Sequence, residues 1–336
     1  MMVNTRYFKD KLFNIDENSF EKHALQLFKW QFYHNRIYHQ YVKNLRKDIN
    51  SIKKVEDIPF LPISFFKNHQ VVSLSEKAKA ETWTVFESSG TTGQQKSKHY
   101  VADLAFYLDV CRHIFEQQYG LLSEFHVFAL LPSYLERDNS SLVAMVNSFI
   151  KLSKSPLSDF YLHDYPSLLD KLTMAKDSKR KVLLIGVTFA LLELAEQYLY
   201  DMQDIVLMET GGMKGRRKEM IREEVHNILE QRLGVEGVHS EYGMTELLSQ
   251  AYAQGGQTFE TPPWMRVLIR DINDPLCISK DLKQGGINVI DLANVDSCAF
   301  IETQDLGKSH GHNGSFEVIG RFDNTDIRGC NLMVAL

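Results

Sequence analysis

Ser88-Ser89-Gly90-Thr91-Thr92-Gly93-Gln94-Gln95-Lys96 carries the most information about the fold, because it concentrates hydroxyls, two glycines and one lysine in a single loop. Glycines let backbone N–H groups converge on an anion, while serine and threonine add hydrogen-bond donors and lysine adds charge. The run before it, 82–86, is predicted to be a strand, and 101–119 is predicted to be an amphipathic helix. Phosphate commonly binds at a turn between a strand and a helix, so this loop is predicted to bind phosphate.

The spacing of the loop separates it from better-known phosphate loops. Gly90 and Gly93 are three residues apart, and Lys96 does not directly follow Gly93, which excludes the pattern G-x-x-x-x-G-K-[ST]. The sequence also has no G-x-G-x-x-G pattern. A solvated surface turn is the alternative for any stretch rich in Gly, Ser and Thr, but the string SSGTTG followed by lysine favours a phosphate loop.

Composition and charge narrow the classes of partner. The chain has 336 residues, of which 44% are hydrophobic, enough for a buried core. Its formal net charge is −5 and its basic residues form no stripe, which argues against nucleic acid but not against a locally bound nucleotide. Four cysteines without C-x-x-C spacing argue against a zinc site or disulfides. We expect a cytoplasmic protein, because no secretory signal is visible and the longest apolar stretch, 182–195, is too short for a membrane span.

Short apolar segments alternate with helical patterns along the chain, which indicates an α/β fold with a largely parallel sheet. The predicted strands are 125–131, 181–185 and 205–208, and the predicted helices are 140–152, 189–199 and 216–232, with further helices within 17–49. After about Gln257 the pattern changes to short strands at 265–270, 286–292, 300–303 and 316–319. We therefore predict a helical N-terminal region with an α/β nucleotide-binding core at 1–257 and a smaller β-rich subdomain at 258–336.

A second string, Glu241-Tyr242-Gly243-Met244-Thr245-Glu246, combines an aromatic ring, a glycine, a hydroxyl and a carboxylate. At a nucleotide, Tyr242 can stack on the base and Gly243 permits close approach of the backbone. Thr245 can donate to a phosphate, and Glu246 can hold Mg²⁺ through oxygen. The alternative is a helix start, with Ser240 or Thr245 as its cap and Glu246 in the first turn.

Three weaker signals follow the same chain order. Gly211 and Gly212 come directly after a predicted strand, at the end where ligands bind in α/β folds, although a tight turn explains them as well. Asp305 could accept hydrogen bonds from ribose hydroxyls, although Asp is also common in hairpin turns. Arg321 lies in Gly320-Arg321-Phe322-Asp323-Asn324, which alone could be a polar turn with an exposed arginine.

Together these strings resemble the adenylate-forming superfamily of acyl- and aryl-CoA ligases. Its phosphate loop, [ST]-S-G-[ST]-T-G-x-x-K, matches 88–96, and its Y-G-x-T-E element matches 242–246. Its T-G-D element corresponds to 303–305, with Gln304 replacing Gly, and its G-R-x-D hinge corresponds to 320–323. Within the superfamily the chain is most similar to LuxE-type acyl-protein synthetases, which are related to phenylacetate-CoA ligases. The segments that carry this likeness are 61–67, 140–142, 210–212 and 328–330.

The resemblance implies a fold, an activity and a set of site residues. The fold would be the large domain of these enzymes, with mostly parallel sheets flanked by helices and a smaller β-rich subdomain. The activity would be the ATP-dependent and Mg²⁺-dependent conversion of a carboxylic acid, by family analogy a fatty acid, to an acyl-adenylate, followed by transfer to a thiol. The phosphates would be held by Ser88, Ser89, Gly90, Thr91, Thr92, Gly93 and Lys96. Gly211, Gly212, Tyr242 and Gly243 would form the adenine pocket, Thr245 would contact the α-phosphate, Glu246 would hold Mg²⁺, Asp305 would bind ribose, and Arg321 would meet ribose or phosphate.

Two features near Leu336 bear on the activity. Most of the superfamily continues past the hinge into a small domain with a catalytic lysine, whereas we expect this protein to have the short form that the LuxE type resembles. Cys330 lies where a LuxE-type protein is expected to have its acyl-accepting thiol, and neighbouring Arg328 favours the thiolate. A buried structural thiol is the alternative. An acyl-accepting protein or acyl carrier protein would be the partner. The competing functions are acyl transfer from a preformed thioester without adenylation, and a non-catalytic nucleotide-binding subunit.

Overall fold

The computed structural model describes residues 4–73, 83–88, 95–131, 139–211, 220–278, 282–310 and 314–322. Two larger β-sheets and a two-stranded hairpin make up its β-structure, and helices lie before and between their strands. The predicted α/β class is confirmed.

The N-terminal region is helical, as the spacing of its aromatic residues predicts. Its helices are α1 (Thr5–Lys11), α2 (Glu17–His34), α3 (Arg36–Asn44) and α4 (Phe65–Asn68). Asp16 and Ser19 form a capping box at the start of α2, which satisfies backbone N–H groups that have no partner within the helix. Phe20, Phe28 and Tyr38 are completely buried, so these aromatics belong to the core. The Tyr38 hydroxyl donates to the Pro59 carbonyl oxygen at 2.6 Å.

A mostly parallel sheet forms the centre of the chain. Its strands are β4 (Phe125–Leu130), β5 (Asp159–Tyr161), β6 (Lys181–Val187), β7 (Ile205–Thr210), β8 (His239–Tyr242) and β9 (Ala251–Ala253), in the order β5-β4-β6-β7-β8-β9. Only the β8–β9 pair is antiparallel. The helices along this part of the chain are α5 (Leu104–Tyr119), α6 (Ser141–Ser153), α7 (Tyr165–Lys176), α8 (Thr188–Gln197) and α9 (Arg222–Leu233). β4 is buried at every position, which is why it appears in the sequence as an unbroken apolar run.

Two local predictions are wrong. The phosphate loop does not connect a strand to a helix, because it joins β2 (Thr84–Glu87) to β3 (Lys98–Val101) in an antiparallel hairpin, and α5 follows β3. The helix predicted from residue 216 begins only at Arg222, because Ile221 is still extended. Glu223 and Glu224 mark the true first turn, where acidic side chains interact favourably with the helix dipole.

The second larger sheet is antiparallel apart from one short strand. Its strands are β10 (Thr258–Phe259), β11 (Met265–Arg270), β12 (Gln284–Asp291), β13 (Phe300–Ser309) and β14 (Phe316–Arg321), with β1 (Leu61–Pro62) added parallel to β13. The predicted change to β-structure after Gln257 is therefore confirmed, while the boundary at 257 stays a prediction. β13 runs well past the predicted end at 303, so Asp305 lies in a strand and not in a hairpin turn.

Gln31 in α2 ties the N-terminal helices to this sheet. Its buried Nε2 lies 2.8 Å from the Asn294 carbonyl oxygen and 3.0 Å from that of Val295. Its Oε1 accepts from the Ala299 backbone N–H at 3.0 Å. The connection between β12 and β13 is thereby held in place, and the same connection contacts the Tyr242 segment described next.

Candidate functional site

The hairpin β2–β3 carries the described ends of the phosphate loop. Ser88 and Ser97 close the loop with two hydrogen bonds, from Ser88 N to Ser97 O and from Ser97 N to Ser88 Oγ, both at 3.0 Å. Lys96 Nζ lies 3.2 Å from Glu87 Oε2, and its side chain remains 41% exposed. Ser89, Gly90, Thr91, Thr92 and Gly93 lie outside the described residues.

The segment Tyr242–Glu246 leaves the end of β8 and is tied to this hairpin. His99 in β3 is buried, and its Nδ1 donates to the Thr245 carbonyl oxygen at 2.7 Å. Burial lowers the pKa of His99 to about 4, so the ring is neutral at physiological pH. The Glu246 carboxyl is buried beside the Ser97 side chain, and its pKa is raised by this burial. Lys96, Thr245 and Glu246 are therefore brought to one place although they are distant in sequence.

Two buried side chains hold the rest of this segment. Asn294 Nδ2 donates to the Glu246 carbonyl oxygen at 2.7 Å. The Asp291 carboxylate accepts from the backbone N–H groups of Leu248 and Ser249, both at 2.9 Å, and from Ser249 Oγ at 2.7 Å. His99, Asn294 and Asp291 are not part of any motif in the sequence. The only sequence signal of such a residue is that it is polar and lies within an apolar stretch. This signal suggests burial but does not reveal the group with which the side chain forms a hydrogen bond.

Asp305 and Arg321 face each other on β13 and β14, next to the same segment. Tyr242 Oη donates to Asp305 Oδ2 at 2.8 Å, and Arg321 Nε lies 3.9 Å from Asp305 Oδ1. Burial raises the pKa of Asp305, and the Arg321 charge partly offsets this effect. The Arg321 side chain is exposed, so it can meet a ligand. The structure thus brings Tyr242, Asp305 and Arg321 together.

The Tyr242 ring is packed inside the protein. Its centroid lies 5.1 Å from that of Phe316 and 5.7 Å from that of Phe259, and the residue is 8% exposed. Burial, with a smaller contribution from Asp305, raises the pKa of the Tyr242 hydroxyl, so it stays protonated as a hydrogen-bond donor. Stacking of this ring on adenine stays a prediction.

Gly211 directly follows β7 and has a φ of 70°, a conformation that favours glycine. Its carbonyl oxygen lies 2.5 Å from Thr188 Oγ1, which also lies 2.7 Å from Glu209 Oε2. Glu209 is buried and has Arg222 Nε 3.4 Å from its Oε1. Sequence reasoning missed this buried ion pair because its partners lie on different elements. Gly212 lies outside the described residues.

The donor groups fit magnesium that arrives with a nucleotide. Within the described residues, no three His, Cys, Asp or Glu side chains are grouped as a metal site would require. Mg²⁺ is commonly held by one or two carboxylates together with substrate phosphates, so Glu246 alone fits this role. Cys330 and Arg328 lie outside the described residues. Of the cysteines described, Cys111 and Cys298 are buried and Cys277 is exposed.

Comparison with solved structures identifies the fold. MatB from Rhodopseudomonas palustris with ATP bound matches at a TM-score of 0.52 and 16% identity, covering 74% of this chain and 50% of MatB. 2-Hydroxyisobutyryl-CoA ligase in complex with 2-HIB-AMP and CoA matches at a TM-score of 0.63 and 13% identity, covering 92% of this chain and 68% of the ligase. The chain therefore shares the fold of these two ligases. The resemblance that the motifs indicate is confirmed at the level of the fold.

A family model matches part of the sequence. Residues 10–105 match the family model described as acyl-protein synthetase, LuxE. No curated protein sequence matches the chain significantly. The chain spans about half the length of MatB. In the described ranges no helix combines the length and the apolar character that crossing a bilayer requires.

Proposed function

We propose that the protein is an ATP-dependent acid–thiol ligase that activates a carboxylic acid as its acyl-adenylate. One observation carries the proposal. In an adenylate-forming fold, the hairpin with Lys96, the segment with Thr245 and Glu246, and the Asp305–Arg321 pair meet at one place. These groups supply the charges and hydrogen-bond donors that a nucleoside triphosphate and its metal require.

The chemistry follows from where these groups lie. A carboxylate oxygen of the acid forms a bond to the α-phosphorus of ATP, and the bond from that phosphorus to the bridging oxygen breaks, which releases pyrophosphate. Lys96, with its exposed ammonium, and the Thr245 hydroxyl would stabilise the charge that develops on the phosphate oxygens. Asp305 would accept from ribose, and Arg321 would meet ribose or phosphate. Glu246 would hold Mg²⁺, which supplies charge neutralisation.

The acid-dependent exchange of pyrophosphate into ATP tests this proposal. We expect Lys96→Met and Thr245→Val each to lower the exchange rate by about a hundredfold or more, the usual cost of removing one such donor. Lys98→Met is the matched control, because Lys98 also approaches Glu87, at 3.7 Å, and losing it removes the same charge two residues further along the chain. Full exchange in both Lys96→Met and Thr245→Val would overturn the mechanism.

Transfer to a thiol is the second half of the proposal. We propose Cys330 as the acceptor, by its position in the LuxE resemblance: its thiolate attacks the acyl carbonyl, the thioester bond forms and AMP leaves. Two other cysteines fit the role poorly, because burial raises the pKa of Cys298 to about 12 and that of Cys111 even further. An acyl carrier protein or another protein thiol would receive the group next.

Intact-protein mass tests this step. It is measured after incubation with ATP, Mg²⁺ and a carboxylic acid that supports the exchange reaction. We expect an acyl adduct on the unaltered protein and none on Cys330→Ser. Cys277→Ser, which removes an exposed thiol, is the control and should keep the adduct. An adduct that survives in Cys330→Ser rules this cysteine out and leaves adenylation untouched. Fatty acids, the class suggested by the LuxE resemblance, belong among the acids used.

A further inference from the structure

A row of buried polar side chains crosses one face of the parallel sheet at the Tyr242 segment. Thr210 on β7 pairs with Glu241 on β8, and Glu241 pairs with Tyr252 on β9. Paired residues of neighbouring strands point to the same face, so the three side chains lie side by side. Thr210 Oγ1 donates to Glu241 Oε2, and all three residues are buried.

Helix α5 covers this row with further polar groups. Tyr107 and Cys111 on α5 are buried, and the Cys111 thiol lies beside the side chains of Tyr107 and Gln250. The Tyr107 hydroxyl donates to the Ser141 carbonyl oxygen at 3.0 Å. The Glu241 carboxylate lies close enough to Tyr107, Cys111 and Tyr252 to add to the effect of burial in raising the pKa of each. The space between sheet and helix is therefore polar.

Two groups in this space have no partner. Tyr252 Oη and Gln250 Oε1 are both buried, and neither has a hydrogen bond within the part of the chain that the structure describes. By contrast, Gln250 Nε2 donates to the Leu248 carbonyl oxygen at 3.3 Å. Buried polar atoms normally have partners, because leaving one unpaired costs the full desolvation of the group. A ligand that supplies a hydrogen-bond donor would remove this cost.

The row lies next to the proposed reaction centre. Gly243 follows directly after Tyr242, and a methyl group placed on it would overlap Glu241 Oε1 and lie 3.5 Å from Gln250 Cγ. Thr245, the proposed contact of the α-phosphate, is two residues further along the same segment. Glu241 and Gln250 therefore lie against the backbone that leads to Thr245.

We propose that these residues, Thr210, Glu241, Gln250 and Tyr252 beneath α5, form an acid pocket for a carboxylic acid that carries a hydroxyl or amino group. The inference rests on the proposed adenylation. The Gln250 amide oxygen only accepts hydrogen bonds and the Tyr252 hydroxyl can accept one, so a single group that satisfies both is a donor. An unsubstituted alkyl chain would leave the amide oxygen and the hydroxyl unpaired, and sites of this kind reject such chains strongly. The acid pocket therefore selects against plain fatty acids.

Exchange assays with matched acids test the substrate class. Each set holds one carbon skeleton constant: butanoate, 3-hydroxybutanoate and 3-aminobutanoate; octanoate and 3-hydroxyoctanoate; benzoate, 4-hydroxybenzoate and 4-aminobenzoate. We expect a donor-bearing acid in at least one set to exceed its plain counterpart about tenfold or more in kcat/KM, and the hydroxyl and amino members tell the two donors apart. A plain acid that is best in every set overturns the inference and leaves adenylation standing. No exchange with any acid overturns the proposed function and this inference with it.

Variants connect the preference to the acid pocket. Tyr252→Phe and Gln250→Leu remove the two unpaired acceptors with little change in volume. We expect each to lower the ratio of the rate with the preferred donor-bearing acid to that with its plain counterpart by about tenfold. An unchanged ratio in both variants would show that the preference arises elsewhere.

Thermal unfolding without any substrate is an independent test. Tyr252→Phe deletes a buried hydroxyl without a partner, so the variant should unfold at the same temperature as the unaltered protein or at a higher one. Tyr38→Phe is the matched control, because it deletes an equally buried hydroxyl whose hydrogen bond to Pro59 is 2.6 Å long, and it should unfold at a lower temperature. A decrease in Tyr252→Phe as large as that in Tyr38→Phe would show that the hydroxyl is bonded within the protein, which overturns the inference.

Discussion

Each face of β7 and β8 carries one pair of buried polar residues. The two pairs are adjacent along the strands but differ in whether the polar groups around them have partners within the protein. On the face of α8 and α9, Glu209 and Ser240 are paired in register, and Glu209 contacts Thr188 and Arg222. On the face of α5, Thr210 and Glu241 are paired one position further along, beside the acid pocket with its unpaired Tyr252 hydroxyl. A shift of one residue along the strands therefore separates an internal ion pair from the proposed binding surface.

The difference lies in where the charges find their partners. Burial by itself raises the pKa of Glu209, but the nearby His226 ring, whose Nε2 lies 3.9 Å from Glu209 Oε1, and the charge of Arg222 outweigh it and lower the pKa. Arg222 also lies over the Phe259 ring at 4.5 Å, and Phe259 packs against Tyr242. Arg222 Nη1 is the exception on this side, since it has no partner within the residues described. Glu209 thus supports the position of Tyr242 from within, whereas the acid pocket leaves acceptors for a ligand.

The largest effect on stability is expected on the face of α8 and α9, at the Glu209–Arg222 ion pair. Glu209→Ala removes the carboxylate that pairs with the largely buried Arg222 and leaves that charge with only the weaker interaction with Glu317, so the free energy of unfolding should fall by about 3 kcal/mol. Urea unfolding followed by circular dichroism measures the change. Glu224→Ala, two positions beyond Arg222 at an exposed site of α9, is the control and should cost about 0.5 kcal/mol or less. A loss below about 1 kcal/mol in Glu209→Ala would mean that the ion pair does not hold this face together.

A smaller effect on stability is expected at His99, whose buried ring is hydrogen-bonded within the protein. Its pKa in the folded state is about 4, below the ordinary value of about 6.5, so the unfolded state binds the proton more tightly. The contribution of His99 to stability is complete above about pH 6.5 and is lost as the pH falls toward 4. By this linkage the loss is about 2–3 kcal/mol between about pH 7.5 and pH 4.5.

Urea unfolding across that pH range, compared with His99→Gln, isolates this contribution. A glutamine amide can still donate to the Thr245 carbonyl oxygen but does not titrate, and the other ionisable groups are common to both proteins. The unaltered protein should therefore lose more stability on acidification than the variant. Parallel pH profiles would show that the His99 ring is not buried as a neutral donor.

Much of the chemistry could be predicted from local sequence. The continuous apolar run of β4 and the helical spacing in α2 locate core elements, because burial on both faces or on one stripe leaves a pattern in the residues themselves. The candidate residues could likewise be named from strings such as Tyr242–Glu246. The strand after the phosphate loop could not be predicted in this way, because nothing local in Lys98–Val101 reveals that this short segment pairs antiparallel with β2.

By itself, the sequence determined the α/β class, the prediction of a phosphate loop and the resemblance to adenylate-forming enzymes, because these depend on residues that are close together in the chain. Only the tertiary structure decided that Tyr242 donates to Asp305, that His99 holds Thr245, and that Glu241 and Tyr252 lie side by side under α5. The physical reason is register. Successive side chains of a strand alternate between its faces, so the direction in which Glu241 points is known only once the strand pairing and the covering helix are known.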